Sequence, residues 1–202
     1  MGKFSEGLLN DEIILDNLNI CLGQTILDAG CGNGYMAKKF SKLVGNTGKI
    51  YALDPDKGSI AKLKEEVEKN SNINALVGDI TKRTDLKDSA IDLVYLSTVF
   101  HIFSDIQIVG FEKEITRILK PKAQLAIVNI HKKETPFGPP LEMRSSPEEL
   151  RQKLSFIPKE LIEVNDYFYM QLFVNGPIYK NKGGCEHSIN KVFNQRRSKF
   201  KV

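Results

Sequence analysis

A short apolar segment, Thr25-Ile26-Leu27, runs into Asp28 and then into three glycines at positions 30, 32 and 34, after which a helical pattern begins. A strand that meets a helix through closely spaced glycines forms a sharp turn with bare backbone amides, against which a ligand can lie. Roughly 20 residues further on, the spacing at which such folds place a ribose-binding acid, a second strand over 49–53 ends in Asp54. A carboxylate there is able to accept hydrogen bonds from both hydroxyls of a ribose. Together the two strand ends point to a nucleoside-containing cofactor. Taken singly, a glycine cluster after a strand is more often a tight turn, Asp54 reads as a helix N-cap and Asp79 as the cap of a turn.

The glycine spacing narrows the ligand. A dinucleotide turn requires Gly-x-Gly-x-x-Gly, and the position that pattern needs, 35, is Tyr. No Gly-Lys-Ser/Thr follows, so the nucleotide-triphosphate loop is excluded as well. Asp28 ahead of the glycines suits a ligand with a cationic end and no phosphate to cradle.

The run Ile26 to Tyr35 resembles the first motif of the class I S-adenosylmethionine-dependent methyltransferases, and Tyr51-Ala52-Leu53-Asp54-Pro55-Asp56 resembles their second. Leu76-Val77-Gly78-Asp79-Ile80 is similar to their third strand end and Ile91-Asp92-Leu93-Val94-Tyr95-Leu96-Ser97 to their fourth strand. Arg117-Ile118-Leu119-Lys120-Pro121 followed by Gln124 to Val128 is similar to the helix, turn and strand that come next. The likeness covers residues 8–174 in the family's order. It departs only at Pro121-Lys122-Ala123, where the family often has Pro-Gly-Gly. The resemblance implies S-adenosylmethionine as cofactor and S-adenosylhomocysteine as product. It implies Asp28, Gly30, Cys31, Gly32, Gly34, Asp54, Pro55, Asp79, Ile80 and Ser97 as cofactor-binding residues, with Asp79 on the adenine amino group.

Alternating strands and helices argue for a parallel sheet covered on both faces. The resemblance makes this an α/β, three-layer, doubly wound, Rossmann-like fold, with a seven-stranded, mostly parallel sheet and a C-terminal antiparallel hairpin. Right-handed crossovers then gather Gly30, Asp54, Asp79 and Ser97 around one crevice. Residues 1–179 read as the domain and 180–202 as a tail. Residues 1–22 read as a leading helix that Asn10 or Asp11 could cap, and the resemblance implies that this segment covers the cofactor and brings Phe4 near it. Crossover helices are expected over 35–44, 57–69 and 107–119, and strands near 73–78, 91–97, 123–130, 161–165 and 167–174. Residues 131–145, with Pro136, Gly138, Pro139 and Pro140, form a loop read as a roof on the substrate side, with Phe137 and Met143 as apolar lining, or as a plain surface connection. Ser146-Pro147-Glu148-Glu149 is a helix start with the reciprocal Ser and Glu of a capping box.

The charge is uneven. The chain is +4 overall, but Lys180 to Val202 carry seven Lys or Arg against one Glu. The basic character therefore belongs to the tail, read as a solvated end or as a contact for phosphates or an acidic partner. No apolar run reaches the ~18–20 residues that span a bilayer. Cys21, Cys31 and Cys185 lack metal-ligand spacing, and the default setting is reduced and cytoplasmic.

Methyl transfer needs alignment and a suitably protonated nucleophile. His101, just past the fourth strand, is the candidate base, with ordering of the loop as its structural alternative. His131 is a second candidate, and Arg117 suits the holding of a loop or helix end. Ser97-Thr98-Val99-Phe100 stands where amino-methyltransferases carry Asn/Asp-Pro-Pro-Tyr/Phe, so that chemistry is disfavoured. The pattern resembles the small-molecule branch, which includes quinone-precursor and arsenite enzymes, and the cysteine placement disfavours arsenite. The expected partner is a small-molecule methyl acceptor. The competing readings are an RNA or protein methyltransferase docking through the tail, and a non-catalytic binding module.

Overall fold

The structure, a computed structural model, describes residues 7–67 and 71–176 of the chain. Phe4, Cys185 and the basic segment 180–202 lie outside the described residues. A single seven-stranded sheet has the order β3-β2-β1-β4-β5-β7-β6. Its strands are β1 (Thr25–Ala29), β2 (Lys49–Asp54), β3 (Ile73–Val77), β4 (Ile91–Ser97), β5 (Leu119–Ile130), β6 (Ile157–Glu163) and β7 (Phe168–Val174). β1 to β5 pair in parallel, whereas β7 is antiparallel to both β5 and β6. The helices are α1 (Asp11–Leu18), α2 (Tyr35–Val44), α3 (Lys57–Glu66), α4 (Asp105–Ile118) and α5 (Pro147–Lys153).

Strand side chains alternate between two buried layers, as the pleat requires. Ile26, Leu93, Tyr95 and Val128 pack with Ile14 and Leu18 of α1, Phe40 of α2 and Leu63 of α3. Leu27, Val94, Leu96 and Ile127 pack on the other face with Phe111 and Ile115 of α4 and Leu150 of α5. This is the three-layer, doubly wound arrangement expected, and it sets the carboxyl ends of β1, β2 and β4 side by side.

Local signals act as their chemistry dictates. Asn10 caps α1 by accepting from the Ile13 N–H at 3.2 Å, and Asn19, in a left-handed conformation, ends that helix. The leading helix is thus shorter than the one expected over residues 1–22. Ser146 and Glu149 close the capping box of α5. Asp56, not Asp54, caps α3, accepting from the Ser59 N–H at 2.7 Å. The Asp54 side chain is thereby left for the glycine turn. α3 ends at Glu66 rather than near 69, because Val67 is already extended.

Two expectations on the second half of the sheet are corrected. Pro121-Lys122-Ala123 is not a turn between helix and strand but an irregularity inside β5: Leu119 pairs with Ile91, and the ladder resumes only at Gln124 with Leu93. Lys122 takes a left-handed φ of 63° there. Asn175 pins the kink through backbone bonds to Lys122 and Ala123 and side-chain bonds to the Leu119 and Lys120 carbonyls. The first strand of the closing hairpin runs Ile157–Glu163 rather than 161–165. Asn165 instead forms its turn, accepting from the Tyr167 and Phe168 N–H groups. β6 is an edge strand with most side chains exposed, so its first half lacks the apolar alternation that marks a covered strand.

No described residue between β3 and β4 is helical, and the connection is held by α4 instead. Gly110 permits the contact: a Cβ there would stand 2.1 Å from the Thr81 carbonyl oxygen. Glu114, 3% exposed, accepts from the Thr84 N–H and hydroxyl at 2.8 and 2.6 Å and from Arg117. Arg117 also donates to the Leu86 and Thr84 carbonyls and to Asp88. It holds this connection, the loop-holding role expected of it.

Candidate functional site

A cavity opens at the carboxyl ends of β1, β2 and β4. Its lining includes Asp28, Gly30, Cys31, Gly32, Asp54 and Ser97 of the expected residues. Leu9 just before α1 and Asp11 at its start, Asn33 of the glycine turn, Tyr35 and Met36 at the start of α2, and Tyr95, Thr98 and Val99 of β4 and its continuation complete it.

The turn is built from backbone geometry. The N–H groups of Gly30 and Cys31 both reach the Leu53 carbonyl, tying the turn to β2. Gly30 has φ +74°, and a Cβ on it would meet Val99 Cγ2 at 2.6 Å, so the β4 end packs directly on bare backbone. Gly34 begins α2, and its N–H donates to the Cys31 carbonyl. Asp54 braces the turn from the side: Oδ2 accepts from the Gly32 N–H at 2.9 Å and Oδ1 from the Asp56 N–H at 2.8 Å. A carboxylate oxygen has room for more than one donor, so a pair of hydroxyls at the mouth still finds acceptors.

Asp28 is the electrostatic centre. It is 3% exposed, and its Oδ2 has no hydrogen-bond partner among the described residues. Burial raises its pKa, the Ala37 backbone N–H opposes the rise and the charge of Asp54 adds to it, leaving the group at about 7. An ammonium group placed beside it would supply the missing charge and donor together. A carboxyl held at about 7 carries a proton below that pH, which a cationic ligand must displace. Ligand binding is therefore expected to weaken as pH falls below about 7, by up to about tenfold per unit. Calorimetry in buffers of different ionisation enthalpy should register proton release, and Asp28→Asn should abolish both effects; a pH-independent affinity would remove Asp28 from the ligand. Because the folded value lies above the ordinary 3.8, Asp28 also lowers fold stability as pH rises from about 4 to 7.

Cys31 is buried, and burial together with the charges of Asp28 and Asp54 pushes its thiol far above the ordinary range. It is a packing residue of the turn, not a nucleophile. Thr98 takes a left-handed φ of 56°, costly for a β-branched residue by about 1–3 kcal/mol, and is held by its N–H on the Val128 carbonyl. Strain at this point of the lining positions the chain that leads to His101.

Not every expected residue joins the cavity. Gly34, Pro55, Asp79, Ile80 and His101 lie outside its lining. Asp79 is turned onto its own loop, with Oδ1 accepting from the Thr81 N–H at 2.9 Å and hydroxyl at 2.7 Å, while Lys82 lies 3.4 Å from Oδ2. Pro55 is exposed, and Ile80 is buried against the α4 face. His101 sits in a single 3-10 turn, Phe100–Ile102, two residues beyond Val99. Burial lowers its pKa and the Arg144 charge lowers it further, favouring a neutral imidazole. His131 is tied to Glu163 at 2.8 Å and lies against the Tyr169 ring, at the hairpin rather than the cavity. Phe137 packs on Tyr167 and Phe168, and Met143 is exposed.

Sequence reasoning missed the clasp on the leading helix. Tyr35 donates to Asp11 Oδ2 at 2.5 Å, Lys39 reaches the same oxygen at 2.7 Å, and the Lys39 ammonium stands over the Tyr35 ring. This binds α1 to α2 across the cavity wall. An acid in the first turn of a helix expected to cover the cofactor was the available signal.

Residues 26–122 match the methyltransferase-domain family. An uncharacterized methyltransferase of Synechocystis sp. is 28% identical over 135 residues, covering 64% of this chain. The chain spans 58% of the length of that relative. A probable cobalt-precorrin-6B C(15)-methyltransferase (decarboxylating) of Saccharolobus solfataricus is 29% identical, covering 75% of this chain and 71% of that protein. The crystal structure of a SAM-dependent methyltransferase from Aquifex aeolicus superposes with a TM-score of 0.77 at 29% identity, covering 87% of this chain and 94% of that one.

Proposed function

We propose that the chain is a class I S-adenosylmethionine-dependent methyltransferase, as its likeness to the methyltransferase-domain family and to the Aquifex structure supports, and that it transfers a methyl group to a small-molecule acceptor by in-line displacement. The observation that carries the cofactor assignment is the buried, unpartnered Asp28 Oδ2 beside a turn too close-packed at Gly30 for any side chain. The residues fit the cofactor: Asp28 for the ammonium, the glycine turn for the backbone approach, Asp54 for the ribose hydroxyls. The bound cofactor supplies an electrophilic methyl group on sulfonium; the protein supplies alignment, exclusion of water and proton acceptance.

A small acceptor is favoured by the lining, in which Leu9, Met36 and Val99 stand among the polar groups, and the resemblance puts the acceptor on the side of segment 131–145. The relatives whose names state an acceptor are small-molecule and protein methyltransferases alike. His101, kept neutral, is the proposed base for an acceptor OH, NH or SH. The test is calorimetry with S-adenosylmethionine and S-adenosylhomocysteine, then mass-spectrometric detection of methylated products from quinone-like and other small aromatic compounds. Binding of both cofactor forms with product from one of these compounds is expected. The excess of basic residues in 180–202 favours a second reading, docking on nucleic acid or an acidic protein. It predicts salt-sensitive affinity for a polynucleotide or an acidic protein that vanishes when 180–202 is deleted.

A further inference from the structure

We propose that Arg144 is a positioning residue for the acceptor side, a guanidinium clasp that holds segment 131–145 in one shape. Arg144 is 6% exposed. Its Nε donates to the Pro139 carbonyl at 2.7 Å, and Nη1 to the His131 and Lys133 carbonyls at 3.2 and 2.7 Å and to Thr135 Oγ1 at 3.0 Å. Nη2 donates to the Phe137 carbonyl at 3.2 Å. Every one of these acceptors belongs to the segment that Arg144 itself closes, and none is a carboxylate. The segment contains Pro136, Pro139 and Pro140, which have no N–H with which to build a ladder of their own. The planar fork of the side chain replaces that missing backbone bonding, distributing donors over carbonyls from four residues.

The same group has an electrostatic reach. Among the charged groups of the described residues, Arg144 is the one that bears on His101, and it acts with burial to favour the neutral ring. A buried guanidinium solvated by carbonyls and not paired with a carboxylate keeps its field, whereas an ion pair would cancel most of it. Shape and charge are therefore separable properties of one side chain. Lysine preserves the charge but not the fork, and methionine removes both.

The experiment uses the full chain without acceptor. The histidine rings are titrated by NMR, with His101 assigned through His101→Gln, and amide exchange is followed at His131, Met143 and residue 144, whose N–H groups are bonded in the structure. Arg144→Lys is expected to speed exchange at these amides about tenfold or more while His101 still titrates below the ordinary histidine value. Arg144→Met is expected to speed exchange similarly and to move the His101 titration upward. Unchanged exchange in Arg144→Lys, or an unmoved His101 in Arg144→Met, overturns the proposal. Arg144 does not line the cofactor cavity, so S-adenosylmethionine affinity should stay within about threefold of wild type in both variants. Loss of that affinity alongside the loop would make Arg144 a general fold residue and also overturn it. The inference rests on reading the His101 side as the acceptor side. Because its readouts need neither acceptor nor turnover, its failure is distinct from failure of the proposed activity.

Discussion

Asp54→Ala is expected to weaken S-adenosylmethionine binding by about 100-fold or more. Two hydrogen bonds from ribose hydroxyls to a carboxylate contribute about 1.5–3 kcal/mol each, and every 1.4 kcal/mol is tenfold. The substitution also removes the brace on the turn, because the Gly32 and Asp56 N–H groups both end on this carboxylate. Asp54→Asn separates the two effects. Its side-chain oxygen still accepts from one backbone N–H, so the turn keeps part of its shape, while the charge-assisted bonds proposed for the ribose are lost. An intermediate affinity is expected for it. Calorimetry on the three proteins, with thermal melts to confirm folding, decides the matter. Wild-type affinity in Asp54→Ala would mean that the nucleoside lies elsewhere.

Glu114→Ala should lower the unfolding free energy by about 3–5 kcal/mol, the range for removing one partner of a buried, hydrogen-bonded ion pair. Glu114 and Arg117 have side chains 4% and 13% exposed, so neither regains full hydration when the other is lost. The Thr84 N–H and hydroxyl lose their acceptor in the same step. In a domain of this size about 1 kcal/mol moves Tm by roughly 2–4 °C, so the melt should fall by about 10 °C. Burial works to raise the Glu114 carboxyl, but the bonds from Arg117 and Thr84 outweigh it and hold the group below the usual range. Its contribution is therefore present above the ordinary carboxylate pKa and lost as pH falls through the lowered value. The wild type and the variant should converge in acid. A melt within about 1 kcal/mol of wild type at neutral pH would show that the connection between β3 and β4 does not depend on this network.

The legible part of the protein is local. Apolar runs such as Leu93 to Leu96 read as strands buried on both faces, and alternation with helices makes a parallel sheet the arrangement that covers them. Ser146 and Glu149 announced a helix start because the capping bonds are made within four residues of chain. The half-exposed edge was harder. β6 carries Ile157, Pro158, Lys159, Glu160 and Leu161 before its first buried residue, Ile162, so burial left no periodic trace there. The kink at Lys122 was read as a turn because Pro121 and a missing glycine say nothing about Asn175, some 50 residues away, which holds it.

At the site the same division holds. The sequence alone determined the fold class, the glycine turn and the acids at the strand ends, because each depends on neighbours within a few positions and on the periodicity of burial. It did not determine which of those acids face the cavity. Asp28 and Asp54 line it, while Asp79 spends its carboxylate on Thr81. Nor did it determine the partners drawn from distant segments: Asp11 with Tyr35 and Lys39, Glu114 with Thr84, and Arg144 with the carbonyls from His131 to Pro139. Those depend on side-chain direction and on hydrogen bonds of about 3 Å, and such distances exist only once the sheet has brought the segments together.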